Sequence, residues 1–183
     1  MAAKDRQRWR SLTPGETAMA ERLFGAAIDY PRVRIYNRRY LPFGLQPVNC
    51  AMTPNGHMFF HQSCCLVDFS AGSEHARHWF MHEMTHVWQH QLGYPVRLRG
   101  ALRIGLRYSY KLALDKSLAD YNMEAQGDLL ADYFVLRFLG SNLAMREGAY
   151  ANALALYEHV LAGFVADPAS RANLPRSILL NLR

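Results

Sequence analysis

Cysteine is scarce in this chain, with three among 183 residues, and two of them, Cys64 and Cys65, are adjacent. Such a set builds neither a disulfide framework nor a CxxC pair, so a reducing compartment is the simpler setting. Lysine is scarce too: the net charge of +6 rests on 18 arginines against three lysines. No apolar run reaches the length of about 18 residues that marks a membrane span. The most apolar late stretch, Ala153 to Ala166, is interrupted by Glu158 and His159. No apolar segment follows the basic start MAAKDRQRWR, so no ordinary signal peptide is expected. Cytoplasmic residence is the default expectation, although export by a specialised apparatus would leave no such mark. Repeats, low-complexity tracts and a convincing linker are absent as well. The expectation is a single domain over residues 1–183, with 1–12 as a flexible arm.

What remains is a globular balance, with 50% of residues hydrophobic and 20% charged. Thr13-Pro14-Gly15-Glu16 reads as a capped helix start running to about Ile28. From Val33 to Phe69 short β-like runs alternate with Pro and Gly. Cys50–Met52 and His57–Phe60 flank Asn55-Gly56, a hairpin signal, and Cys65–Phe69 is a further strand candidate. A small antiparallel sheet follows from these runs. Ser73 then caps a helix predicted over 74–91. Three more helices are expected, near 99–114, 117–139 and 143–165, with Gly140 as a C-terminal stop. The fold class is therefore α+β, a small sheet followed by a mainly helical half.

The chemistry concentrates in His82-Glu83-Met84-Thr85-His86. Residues four apart share a helix face, so His82 and His86 can converge on one Zn²⁺. Glu83 lies one step round the helix, displaced from chelation but placed to act as general base on a metal-activated water. Zinc held by two histidines needs a third protein ligand and an open position. The best candidate is Glu124 in Asn122-Met123-Glu124-Ala125-Gln126-Gly127-Asp128, with Asp128 on the same face. One carboxylate can bind metal while the other fixes a ligand histidine by hydrogen bonding its distal N–H. His78 and His90 extend the histidine row, but they lie about 18 Å apart along a helix, so all four cannot share one ion. A second donor to the developing oxyanion would come from Tyr or His, with Tyr121, Tyr150, Tyr157 and His159 as candidates.

HExxH running into Val87-Trp88-Gln89, with Glu124 and Asp128 downstream, resembles the gluzincin metallopeptidases. It is similar in particular to the small metallopeptidase domains associated with bacterial contractile injection systems, and to short bacterial proteins related to the VgrG spike. The resemblance covers about residues 80–133. It implies a zincin-like fold and a peptide or protein substrate. It also implies His82, His86 and Glu124 as zinc ligands, Glu83 as catalytic base and Asp128 as partner of a ligand histidine. The alternative is a non-catalytic zinc-binding adaptor or effector domain of a secretion or contractile injection system. Arg99, Arg103, Arg107 and Lys111, at steps of four, would form one cationic row if helical, suited to an acidic protein partner. No nucleic-acid-binding signature accompanies them, so nucleic acid is not expected as a partner.

Overall fold

The computed structural model describes residues 9–43, 45–102 and 105–176. Most of the expected N-terminal arm, and Arg103 of the cationic row, lie outside the described residues. Trp9–Arg10 is not an arm but strand β1. Its Arg10 guanidinium grips the buried Glu16 carboxylate through two hydrogen bonds of 2.7 Å. Glu16 also receives the Thr13 and Phe69 backbone N–H groups, both at 2.9 Å. One carboxylate thus closes the capping box of helix α1 (Pro14–Phe24) and ties the helix to β1 and to the loop at Phe69.

Strand β2 (Ile35–Asn37) pairs antiparallel with β1 and parallel with β3 (Met58–Phe60). The sheet is therefore mixed, not antiparallel as the hairpin signal suggested. The reason is that Met52 meets Phe59 in a single antiparallel bridge while β2 claims the other edge of β3. Residues 65–69 form no strand.

Helix α2 (Glu74–Gln91) follows from its Ser73 cap with the expected bounds. Its apolar residues Phe80, Met81, Met84, Val87 and Trp88 have no exposed surface. Trp88 packs edge-on against Phe164 and beside Phe24, and its indole N–H donates to Pro168 O at 2.8 Å. The Arg-rich stretch is helical only over α3 (Val96–Leu102). Beyond it Gly105 takes a positive φ of 69°, and Arg107 and Lys111 sit in irregular chain, so these two do not share a helix face with Arg99. Helix α4 (Met123–Phe134), every residue of it buried, begins later than its pattern suggested. Asn122 accepts the Glu124 and Ala125 N–H groups, a local cap that competes with continued helix upstream. A π-helical turn, Val135–Leu139, extends α4 to Gly140 at φ 63°.

The last predicted helix is replaced by two short ones, α5 (Leu154–Val160) and α6 (Ala162–Ala166). Its expected first turns are diverted because the Arg146 and Glu147 N–H groups donate to Asp132 at 2.6 and 2.9 Å. No described helix is long and apolar enough to cross a membrane.

Candidate metal centre

Helices α2 and α4 pack antiparallel, and their facing sides carry a ladder of histidines against carboxylates. His86 meets Glu124, His82 meets Glu124 and Asp128, and His78 meets Asp132. The steps of four on each helix make the rungs, since each step returns to the same face.

At one end of the ladder three donor atoms converge. The Nε2 atoms of His82 and His86 lie 3.1 Å apart, and each is 3.3 Å from Glu124 Oε2. A tetrahedral zinc with donors at about 2.0–2.1 Å sets them about 3.3–3.4 Å apart, so the triangle fits that ion. Among the described residues His82, His86 and Glu124 form the one group of this kind.

The hydrogen bonds behind the imidazoles decide which nitrogen faces inward. His82 Nδ1 donates to Asp128 Oδ1 at 2.8 Å, and His86 Nδ1 donates to Gln89 Oε1 at 2.9 Å. The Gln89 amide is itself oriented, because its Nε2 donates to Met123 O and Gln126 Oε1. Gln126 in turn donates to the Leu118 and Asn173 carbonyls at 2.8 and 3.0 Å. Backbone carbonyls only accept, so every amide in the relay has one allowed orientation. Both Nε2 lone pairs therefore point at Glu124, an arrangement that calls for a cation between them.

Electrostatics agree with that demand. Burial alone would lower the His82 pKa, but hydrogen bonds to Asp128 and Glu124 raise it well above the ordinary imidazole value. For His86 burial also lowers, and the charge of Glu124 outweighs it. Burial would raise the Glu124 pKa, yet His86 and the hydrogen bonds from both imidazoles hold it below the usual carboxylate range. Protons take the place of a metal when none is bound.

Gly127 gives His82 its place. A Cβ there would stand 2.6 Å from Cε1 and 2.7 Å from Nδ1 of the imidazole. Glu83, buried on α2, accepts a 2.5 Å hydrogen bond from the Thr53 hydroxyl. Thr53 sits next to Met52, whose bridge to Phe59 fixes the turn against the sheet.

His82, His86, Glu124 and Asp128 meet between α2 and α4 with Glu83 beside them, whereas the expected oxyanion donors are engaged elsewhere. The Tyr121 hydroxyl donates to Lys111 O, and Tyr150 accepts from Leu112 N. Tyr157 bonds to Tyr110, and His159 donates to Leu114 O. The tyrosine at the centre is instead Tyr108, half exposed, its ring stacked 6.1 Å from that of His82. Burial, then the charges of Glu124, Cys50, Glu83 and Asp128, raise its pKa and keep it a donor. Nothing in the local pattern around Tyr108 or Thr53 marks them, because the loops that carry them reach the site only through the fold. His90 opens onto a separate cavity of about 460 Å³ beside Arg32, Asn55 and His57.

Fold and site together define an α+β domain in which two antiparallel helices present a His-His-Glu donor set beside a buried glutamate. No family model matches the chain. It is 40% identical over 142 residues to the type VI secretion system spike protein VgrG2b of Pseudomonas aeruginosa. That match covers 74% of this chain and 14% of the spike protein's length. The solved effector domain of Pseudomonas aeruginosa VgrG2b is 36% identical, with a TM-score of 0.68 over 89% of this chain and 87% of that domain. The chain belongs to the VgrG2b effector-domain family.

Proposed function

We propose that this chain is an effector domain of a type VI secretion system and acts there as a zinc-dependent peptidase. The observation that carries the reading is the buried triangle of His82 Nε2, His86 Nε2 and Glu124 Oε2, its lone pairs turned inward by Asp128 and Gln89. A zinc ion held by these three would supply Lewis acidity, making water acidic enough to attack near neutral pH and polarising the scissile carbonyl.

The chain's own groups supply the rest. Glu83 accepts the proton of the attacking water and returns it to the departing amine. The Thr53 hydroxyl holds one oxygen of that carboxylate, leaving the other for the proton transfer. Tyr108, kept protonated at the mouth of the site, is placed to donate to the carbonyl oxygen as its charge grows. A purely structural zinc site takes four protein ligands, whereas three donors gather here among the described residues. That difference favours hydrolysis over a non-catalytic adaptor. Membership of the effector family favours export by the secretion system over cytoplasmic residence.

Purified protein should hold about one zinc per chain, and a broad peptide-library digest should show cleavage that a chelator removes. Glu83→Gln should keep zinc and fold and lose hydrolysis. A variant that cuts as well as the parent would overturn the base assignment, and protein that refuses zinc would overturn the whole reading.

A further inference from the structure

Beside the donor triangle lies a second built feature. The Arg146 guanidinium stands 6.0 Å from the centre of the Tyr108 ring, the same aromatic that stacks on His82. Its Nε is 3.8 Å from Asp128 Oδ2, beyond hydrogen-bonding range, and its side chain is 60% exposed. Asp128 Oδ2 accepts no hydrogen bond, so the pair attracts without consuming the guanidinium's donors. A planar cation with an open N–H edge matches a carboxylate in two-point geometry.

Neither wall of this feature is loose. Asp132, fully buried, receives the Arg146 and Glu147 N–H groups, the Tyr110 hydroxyl at 2.5 Å and a 2.7 Å contact from His78 Nε2. Tyr110 lies two residues from Tyr108, so one carboxylate pins both loops that flank the metal centre. Arg107, also exposed, is anchored nearby, since its carbonyl accepts from the side chain of Asn122, the residue that caps α4. With the backbone on both sides held in this way, the guanidinium is presented from a preorganised loop, which lowers the cost of ordering it on binding.

We infer that Arg146, seated on Tyr108, reads an acidic side chain of the substrate, so that the peptides taken by this centre carry Asp or Glu close to the bond that is cut. The inference rests on the peptidase reading for its role, but its test needs no turnover. Zinc-loaded Glu83→Gln protein is titrated with labelled alanine-based decapeptides carrying a single Glu at each position in turn, each against its Gln counterpart. At one or two positions Glu should bind about two- to fivefold more tightly, and added salt should erode the preference. Adding Arg146→Gln should abolish that preference, and Arg146→Glu should transfer it to Lys peptides. Arg137→Gln, which removes an exposed arginine paired with Glu158 on another surface, should leave it intact. Equal binding of Glu and Gln at every position, or a Glu preference that survives Arg146→Gln, would overturn the inference. Failure of the wild-type protein to cleave peptides that it binds would instead count against the peptidase reading.

Discussion

A single methyl group decides whether His82 can reach its place. Alanine at Gly127 would drive a Cβ to 2.6 Å from the ring, and the imidazole must then tilt out of the triangle. Zinc affinity of Gly127→Ala should fall by about 10- to 100-fold, measured by competition with a chromophoric chelator; unchanged affinity would mean the ring has another seat. Gln89→Leu tests the opposite side. It frees His86 Nδ1 and takes the Gln89 donor from Gln126 Oε1, and a comparable loss of zinc affinity is expected, by about 10- to 100-fold again, with the helix content of the circular dichroism spectrum retained. At this scale the sequence was legible wherever chemistry is local. His82, Glu83 and His86 declare themselves by spacing within one helix, and Glu124 with Asp128 by spacing within another. Gly127 was in plain view, but its reason, an imidazole from a residue 45 positions away in sequence, was not. Tyr108 and Thr53 stayed hidden because loops deliver them, while Tyr121, Tyr150 and Tyr157 were attractive as residue types and are consumed by internal hydrogen bonds.

Elements were legible in proportion to how strongly their ends are marked. Helix α2 has a serine cap and a Gly-Tyr-Pro stop, and its bounds follow directly. The stretch after α3 has the charge spacing of a helix, yet Gly105 takes a positive φ and Arg107 and Lys111 lie in irregular chain. The segment before α5 has good helix formers, but Asp132 draws off the Arg146 and Glu147 N–H groups. Tertiary hydrogen bonds override propensity there, and no local pattern announces them. The parallel pairing of β2 with β3 depends likewise on a crossover invisible to alternation. Buried carboxylates thus act as fasteners between elements. Glu16 joins β1, α1 and the Phe69 loop, so Glu16→Gln should lower unfolding free energy by about 2–3 kcal/mol. Urea melts should show a lower midpoint at an unchanged slope; a shift within error would mean that Arg10 and the capping box do not depend on the charge.

At the scale of the whole molecule, stability is coupled to protons through the two histidines of the candidate centre. The His82 and His86 pKa values are raised in the metal-free fold. Their contribution is therefore fully present below the ordinary imidazole value of about 6.5 and is lost as pH rises through the raised values. On the zinc reading the ion would compete with those protons, and its stabilisation would grow as pH rises. Melting temperatures with excess chelator should fall as pH rises above about 6.5, while the gap to zinc-loaded protein widens. Parallel curves would show that protons and metal do not compete at this centre. Relay length adds a consequence at the opposite end of the chain. The Asn173 carbonyl steadies Gln126, which steadies Gln89, which turns His86 inward. Trimming the polypeptide just ahead of that asparagine would leave the facing histidines and carboxylates untouched in sequence and yet remove one of the two carbonyls that orient Gln126, so a boundary drawn a few residues short would loosen the candidate centre from a distance.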